Sequence, residues 1–135
     1  MPTPVAAPPD RVRQVAGVSA LVLATIACAT FAGWVDLHNA DVQASIVVVA
    51  GAAFAVTALF GRGGWLGGFL VGFGVPLAHL YATLTGMALP YPFPHPMSSF
   101  VALIPAFGGM LTGLALRTGV RSVRGGTWER GNVRR

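Results

Sequence analysis

Five side chains stand out as able to carry a proton, bind a cation or form an ion pair: Asp36, His38, Asp41, His79 and His95. His79 is the most unusual of them, because it interrupts a long apolar stretch, and an ionisable group inside such a stretch is costly unless it does something. Trp65, Gly68, Gly72, Pro76, His79, Thr83 and Gly86 follow one another at steps of three and four. On a helix that spacing makes one small, polar face, opposite Leu66, Leu70, Phe73, Leu77, Leu80 and Leu84. His79 is therefore expected to point at neighbouring helices. Pro76 lacks an amide hydrogen and leaves the carbonyl of Gly72 without its helical partner; Pro105 does the same for Val101. Two roles stay open for His79. It can lie on a proton or ion path, since imidazole changes protonation near neutral pH, or it can donate to a loosened carbonyl or a neighbouring threonine and hold helices together.

The second concentration of polarity runs from Trp34 to Gln43 and holds two of the four acidic residues. Asn39 or Asp41 is placed to cap a following helix, where a side-chain oxygen satisfies unpaired amides. Asp36 follows the preceding helix at its negative end, an unfavourable place for a carboxylate, so a partner is expected: His38, an arginine of another protein, or a cation. Asp36, His38 and Asp41 match no compact metal motif. If the third helix ends near Met87, His79 lies about 12 Å below that end, too deep to share ligands with the loop. His95, between Pro94 and Pro96, reads as a rigid loop residue. No metal site and no cofactor are expected, and Cys28, the single cysteine, cannot form an internal disulfide.

These residues need elements to position them, and the charges define those elements. Residues 63–116 contain no Asp, Glu, Lys or Arg; as one helix they would reach roughly 80 Å, against a hydrocarbon core of about 30 Å. The run must cross a membrane twice, and Pro90, Pro92, Pro94 and Pro96 mark the turn. Charge-free runs at 14–35 and 42–61 each suit one span. The reading is an all-α integral membrane four-helix bundle with spans at about 15–34, 42–60, 65–87 and 97–116, a disordered lead at 1–14 and a basic tail at 117–135. Lipid offers no partners to open strand edges, and the alternation of barrel strands is missing. Arg11 and Arg13 precede the first span, Arg62 separates the second from the third, and six arginines follow the fourth. The positive-inside rule then places both termini in the cytoplasm, N-in/C-in, with Trp34 and Tyr91 as interfacial aromatics. Arg11, Arg13 and the following apolar stretch also resemble a secretory signal, with Thr25-Ile26-Ala27-Cys28 like a lipoprotein box. Thr25 suits that box poorly, and the apolar stretch continues to Trp34.

Close packing of spans depends on small residues, because apolar side chains gain little by leaving lipid. Gly64, Gly68 and Gly72 form such a stripe in the third span and Gly109 and Gly113 in the fourth; Ala16, Ala20, Ala24 and Cys28 in the first and Gly51 and Ala55 in the second repeat the interval. They can serve one bundle or a homo-oligomer. Arg117, Arg121 and Arg124 recur at helical spacing and are expected to meet anionic lipid headgroups. The net charge of +5 is explained by topology, and no nucleic-acid fold precedes it, so no nucleic-acid partner is expected.

The loop from Asp36 through His38 and Asp41 to Val42 and Gln43 resembles that of small bacterial four-span membrane proteins of uncharacterised function, over Trp34 to about Leu116. The likeness implies the membrane fold and no activity. Nine arginines without a lysine, with abundant Ala, Gly and Val, also look like coding from a GC-rich bacterium, which points to the inner membrane. Small multidrug exporters need a carboxylate in the first span, and residues 14–35 have none; thiol-oxidising quinone enzymes need paired cysteines; bis-histidine haem proteins need two histidines within spans. No nucleophile with a nearby base and no phosphate-binding loop is recognisable. The expectation is a nonenzymatic accessory or scaffold module that binds a membrane-protein partner or a second copy. The alternative is an oligomeric transporter or channel component using His79 on a proton or ion path.

Overall fold

The computed structural model describes residues 10–89 and 96–132, and these form helices and short connections, with no strand among them. The elements are α1 (Asp10–His38), α2 (Val42–Phe60), α3 (Trp65–Val71), α4 (Gly74–Thr85) and α5 (Leu103–Asn132), with 3-10 turns at Gly61–Gly63 and Pro96–Ala102. α3 and α4 continue one another, so four segments are long and apolar enough to cross a membrane: Asp10–His38, Val42–Gly63, Trp65–Thr85 and Ser98–Ser122. The expected all-helical architecture with four membrane-length helices is what the chain adopts. The proline loop 90–95, with Tyr91 and His95, and the first nine residues lie outside the described residues.

The helix ends differ from the expected ones, and each difference has a local cause. α1 starts at Asp10, whose carboxylate suits the positive end of a helix, and runs on past Trp34 to His38. The third span stops at Thr85 rather than Met87, because Gly86 takes the left-handed conformation at φ 67° and the Met87 amide closes back on the Ala82 carbonyl at 2.9 Å. That is the glycine-based helix stop, open to residues without a Cβ. α5 continues to Asn132 through the stretch read as a basic tail, and Gly125 and Gly126 do not end it.

The third span is broken in its middle by Pro76. With no donor for the Gly72 carbonyl, the chain tightens: the amides of Gly72 and Phe73 bond three residues back, to Phe69 at 3.1 Å and Leu70 at 3.0 Å. In the fourth span, Pro105 falls in the first turn of α5, where a missing amide is tolerated, and the preceding residues wind as a 3-10 turn.

α2 and α5 share the most extensive seam; α3 packs on α1, α2 and α5, and α4 packs on α1 and the Pro96–Ala102 turn. The core is made of small side chains: Ala32, Val49, Ala53, Val56, Val71, Val75 and Ala106. Small residues let the helix backbones approach closely, and that approach supplies the van der Waals contact on which association in lipid depends. A Cβ on Gly109 would overlap the Ala50 carbonyl, one on Gly113 would reach the Phe54 carbonyl at 2.8 Å, and one on Gly72 would lie 2.7 Å from the Ala106 side chain. Gly68 sits against Thr57 and Ala53, and Gly64 against Val56 and Phe60.

Not every small-residue stripe turns inward. Gly51 has open space beside it, Ala55, Ala16 and Ala20 are exposed, and Ala24 and Cys28 are half-buried. The inward face of α2 is Ser45, Val49, Ala53, Val56 and Thr57, on the opposite side of the helix from Gly51 and Ala55.

Candidate functional site

The side chains able to do chemistry do not gather in the loop between the first two helices. Asp36 belongs to the last turn of α1 and is buried at 5% exposure, and His79 of α4 is buried at 7%. The two meet: His79 Nε2 donates to Asp36 Oδ2 at 2.7 Å. An ionised carboxylate can only accept, so Nε2 is the donor to it, and the distance is within the range of a charge-assisted hydrogen bond. The pair also repairs the electrostatics of α1, because a carboxylate near the negative end of a helix is unfavourable until a donor faces it.

Small residues allow this meeting. Ala29, Ala32, Gly33 and Asp36 lie along one face of α1, and opposite them Gly74, Ala78 and His79 lie along α4. A Cβ on Gly33 would come within 2.6 Å of the Gly74 carbonyl oxygen, and one on Gly74 would overlap the Ala29 carbonyl. The two backbones are therefore nearly in contact one turn below the pair, which brings a short aspartate within reach of the imidazole. The expected separation of about 12 Å between His79 and the polar end fails for two reasons. α4 ends two residues earlier than expected, and Asp36 lies inside α1 rather than beyond it.

The other candidates have separate positions and partners. Asp41 is the N-cap of α2, its carboxylate accepting from the Gln43 amide at 2.9 Å, while Asn39 Oδ1 accepts from the Asp41 amide at 3.0 Å. His38 is exposed, with Nδ1 bonded to the Trp34 carbonyl at 2.9 Å and its ring stacked on Trp34 at 4.8 Å. Thr83 turns its hydroxyl to the His79 carbonyl within its own helix. Arg117, expected to meet lipid headgroups, instead donates to the Ala58 and Leu59 carbonyls at 3.1 and 2.6 Å. There it covers the end of α2 where Gly61 turns away at φ 64°; Arg121 is exposed, and the side chain of Arg124 lies outside the described residues. Among the described residues no three His, Cys, Asp or Glu side chains form a group that could hold a metal ion.

Two polar residues at the same end were not singled out from the sequence. Ser45 of α2 is buried at 5% exposure and Ser99 of the Pro96–Ala102 turn at 4%. With Asp36 and His79 they make one buried polar side chain from each of the four spans, all near the end where α1 stops and α2 starts. A serine in an apolar span is a weak signal, and Ser45, at steps of four and eight from Val49 and Ala53, could have been read from the periodicity of α2. The carboxylate in α1 also removes the ground on which small multidrug exporters were set aside, although here it is taken up by His79.

Fold and site together define a small all-helical protein with four membrane-length segments and one buried carboxylate–imidazole pair. The chain matches no protein-family model, no curated protein and no solved structure.

Proposed function

We propose that the chain is a nonenzymatic accessory or scaffold module of a bacterial inner membrane, crossing it four times with both termini in the cytoplasm. One observation carries this reading: among the described residues, four polar side chains that could have formed a reactive or ligand-binding centre are used to hold the helices. Asp36 and His79 tie α1 to α4, Asp41 starts α2, and Arg117 closes the other end of α2. Orientation is supported by the arginines, which cluster at the termini and at Arg62 and are missing from the 36–41 connection. The module would meet a membrane-protein partner or a second copy through its outward small residues, Gly51 and Ala55 of α2 and Ala16 and Ala20 of α1. Arg121 and Arg124 would lie among anionic headgroups.

A second reading has its own support. An ionisable pair within membrane-length helices, beside a broken span, is an arrangement that transporters use near their substrate or ion sites. Proton flux into liposomes under an imposed gradient separates the two. The scaffold reading expects flux no greater than that of empty liposomes, for native protein and for His79→Gln alike. Native flux that His79→Gln abolishes would replace it with the transport reading.

A further inference from the structure

We propose that α4 is a hinged half-helix, pivoting at Gly72–Phe73 and latched to α1 by the Asp36–His79 pair, so that the proton load of the pair sets its position. The inference stands whether or not anything is transported, because it concerns one segment of the fold.

The hinge is visible in the backbone. Pro76 breaks the hydrogen-bond ladder at the Gly72 carbonyl, two successive amides bond three residues back, and glycine stands on either side of Phe73. Proline is a common cause of a sharp helix kink, and Gly72 and Gly74 lie within four residues of Pro76. The two halves are also held differently. α3 is packed among α1, α2 and α5, whereas α4 has its main contacts with α1 and the Pro96–Ala102 turn. Leu77, Leu80, Tyr81 and Leu84 of α4 face outward. α4 is therefore an arm of 12 residues, about 18 Å long, joined at Gly72–Phe73 to a half packed on three helices and itself packed on α1 and the Pro96–Ala102 turn.

The latch lies halfway along that arm. Among the described residues, Asp36 is the charged group that bonds to His79. The Pro96–Ala102 turn offers Ser98 and Ser99, and α2 and α3 contain no Asp, Glu, Lys or Arg. His38, the other titratable group at this end of α1, is exposed and bonded to Trp34, and Tyr81 is on the outward face of α4.

Three proton loads are available. Imidazolium with carboxylate is a neutral ion pair, and neutral imidazole with carboxylate keeps the bond but leaves one negative charge buried. A further proton on the carboxylate removes the charged acceptor. Charge differences of this kind weigh heavily in a poorly polarisable interior. The ion-pair state makes the strongest latch, and the state with a protonated carboxyl makes the weakest. Asp36→Asn imitates that protonated state at any pH.

The test is a distance between spin labels at Leu84 on α4 and Val47 on α2, both outward-facing. Both are changed to Cys in a Cys28→Ala background and measured in lipid nanodiscs by double electron–electron resonance. At neutral pH a narrow distribution is expected. Acidification, and Asp36→Asn at neutral pH, should broaden it and move part of it by about 6 Å, the swing that a change of about 20° gives an arm of this length. Adding Pro76→Ala to Asp36→Asn restores the missing amide and should return a narrow distribution. A distribution unchanged by acid would overturn the proposal. So would a broadening that Pro76→Ala leaves in place, because the motion would then lie elsewhere than the hinge. If Asp36→Asn does not fold, the acid titration of the otherwise native chain, with and without Pro76→Ala, decides the question alone.

Discussion

Gly33→Ala probes the contact on which the buried pair depends, and its effect follows from the geometry. An added Cβ would lie 2.6 Å from the Gly74 carbonyl oxygen and 2.8 Å from the Ala78 Cβ, where ordinary contact begins at 3.4 Å. The obstacle is backbone, so relief requires α1 and α4 to separate by about 0.8 Å. Asp36 is one turn further along α1 and moves with it. Its 2.7 Å bond to His79 would stretch to about 3.5 Å, the limit at which a hydrogen bond ceases to count as one. Overpacking costs about 1–3 kcal/mol and the weakened bond about 1 kcal/mol, while replacing a helical glycine with alanine returns up to about 1 kcal/mol.

The net expectation is a loss of about 1–3 kcal/mol, read from unfolding in mixed micelles with rising denaturing detergent, together with a changed imidazole environment by NMR of labelled histidine. Gly17→Ala and Gly51→Ala are the controls. Neither position has an atom within 4 Å of the added group, so each should leave stability unchanged or raise it by up to about 1 kcal/mol. Unfolding of Gly33→Ala at the same detergent fraction as Gly17→Ala, with the His79 signal unmoved, would refute the claim that backbone proximity sets the pair.

Three further substitutions test how polar groups hold the bundle. Asp36→Ala should cost about 3 kcal/mol, because it removes the buried carboxylate that faces His79, whereas Asp36→Leu with His79→Leu should unfold within about 1 kcal/mol of the native chain. A double variant as damaged as the single one would mean that the pair contributes more than mutual neutralisation. Asp41→Ala removes the N-cap of α2 and should cost about 1 kcal/mol, with faster amide exchange confined to Gln43 and its neighbours. Arg117→Gln removes the charged donor from the Ala58 and Leu59 carbonyls and should cost about 1 kcal/mol, with exchange rising around Gly61.

The number of spans was legible because it depends on what lipid demands of any chain: long charge-free runs, broken where proline or charge permits. The inward face of the third span was legible too, from Gly68 through His79, since period alone separates it from Leu66, Leu70 and Leu77. The stripes of α1 and α2 were harder. In α2 alanine, glycine and valine occupy most positions, so periodicity carried little information and left open which side Gly51 and Ala55 take. In α1 the evenly spaced series from Ala16 ended at Cys28. The fully buried series runs through Ala32, Gly33 and Asp36, while Leu21 and Cys28 pack against the core from partly buried positions.

The buried pair was missed for a reason that applies to membrane chains generally. Ending a span at its first charge assumes that every charge stays in water, and that assumption placed Asp36 in a loop and left His79 without a partner. Two ionisable side chains on different helices relax the assumption together, since each supplies what makes the other tolerable. Here the sequence did contain the signal. Asp36 continues the small-residue face of α1 by one more step of three from Gly33, as His79 continues that of the third span by three from Pro76. A polar residue in phase with a packing stripe is inside the bundle if another such residue faces it, and outside if none does. Phase, rather than charge, was the property that located both members of the pair.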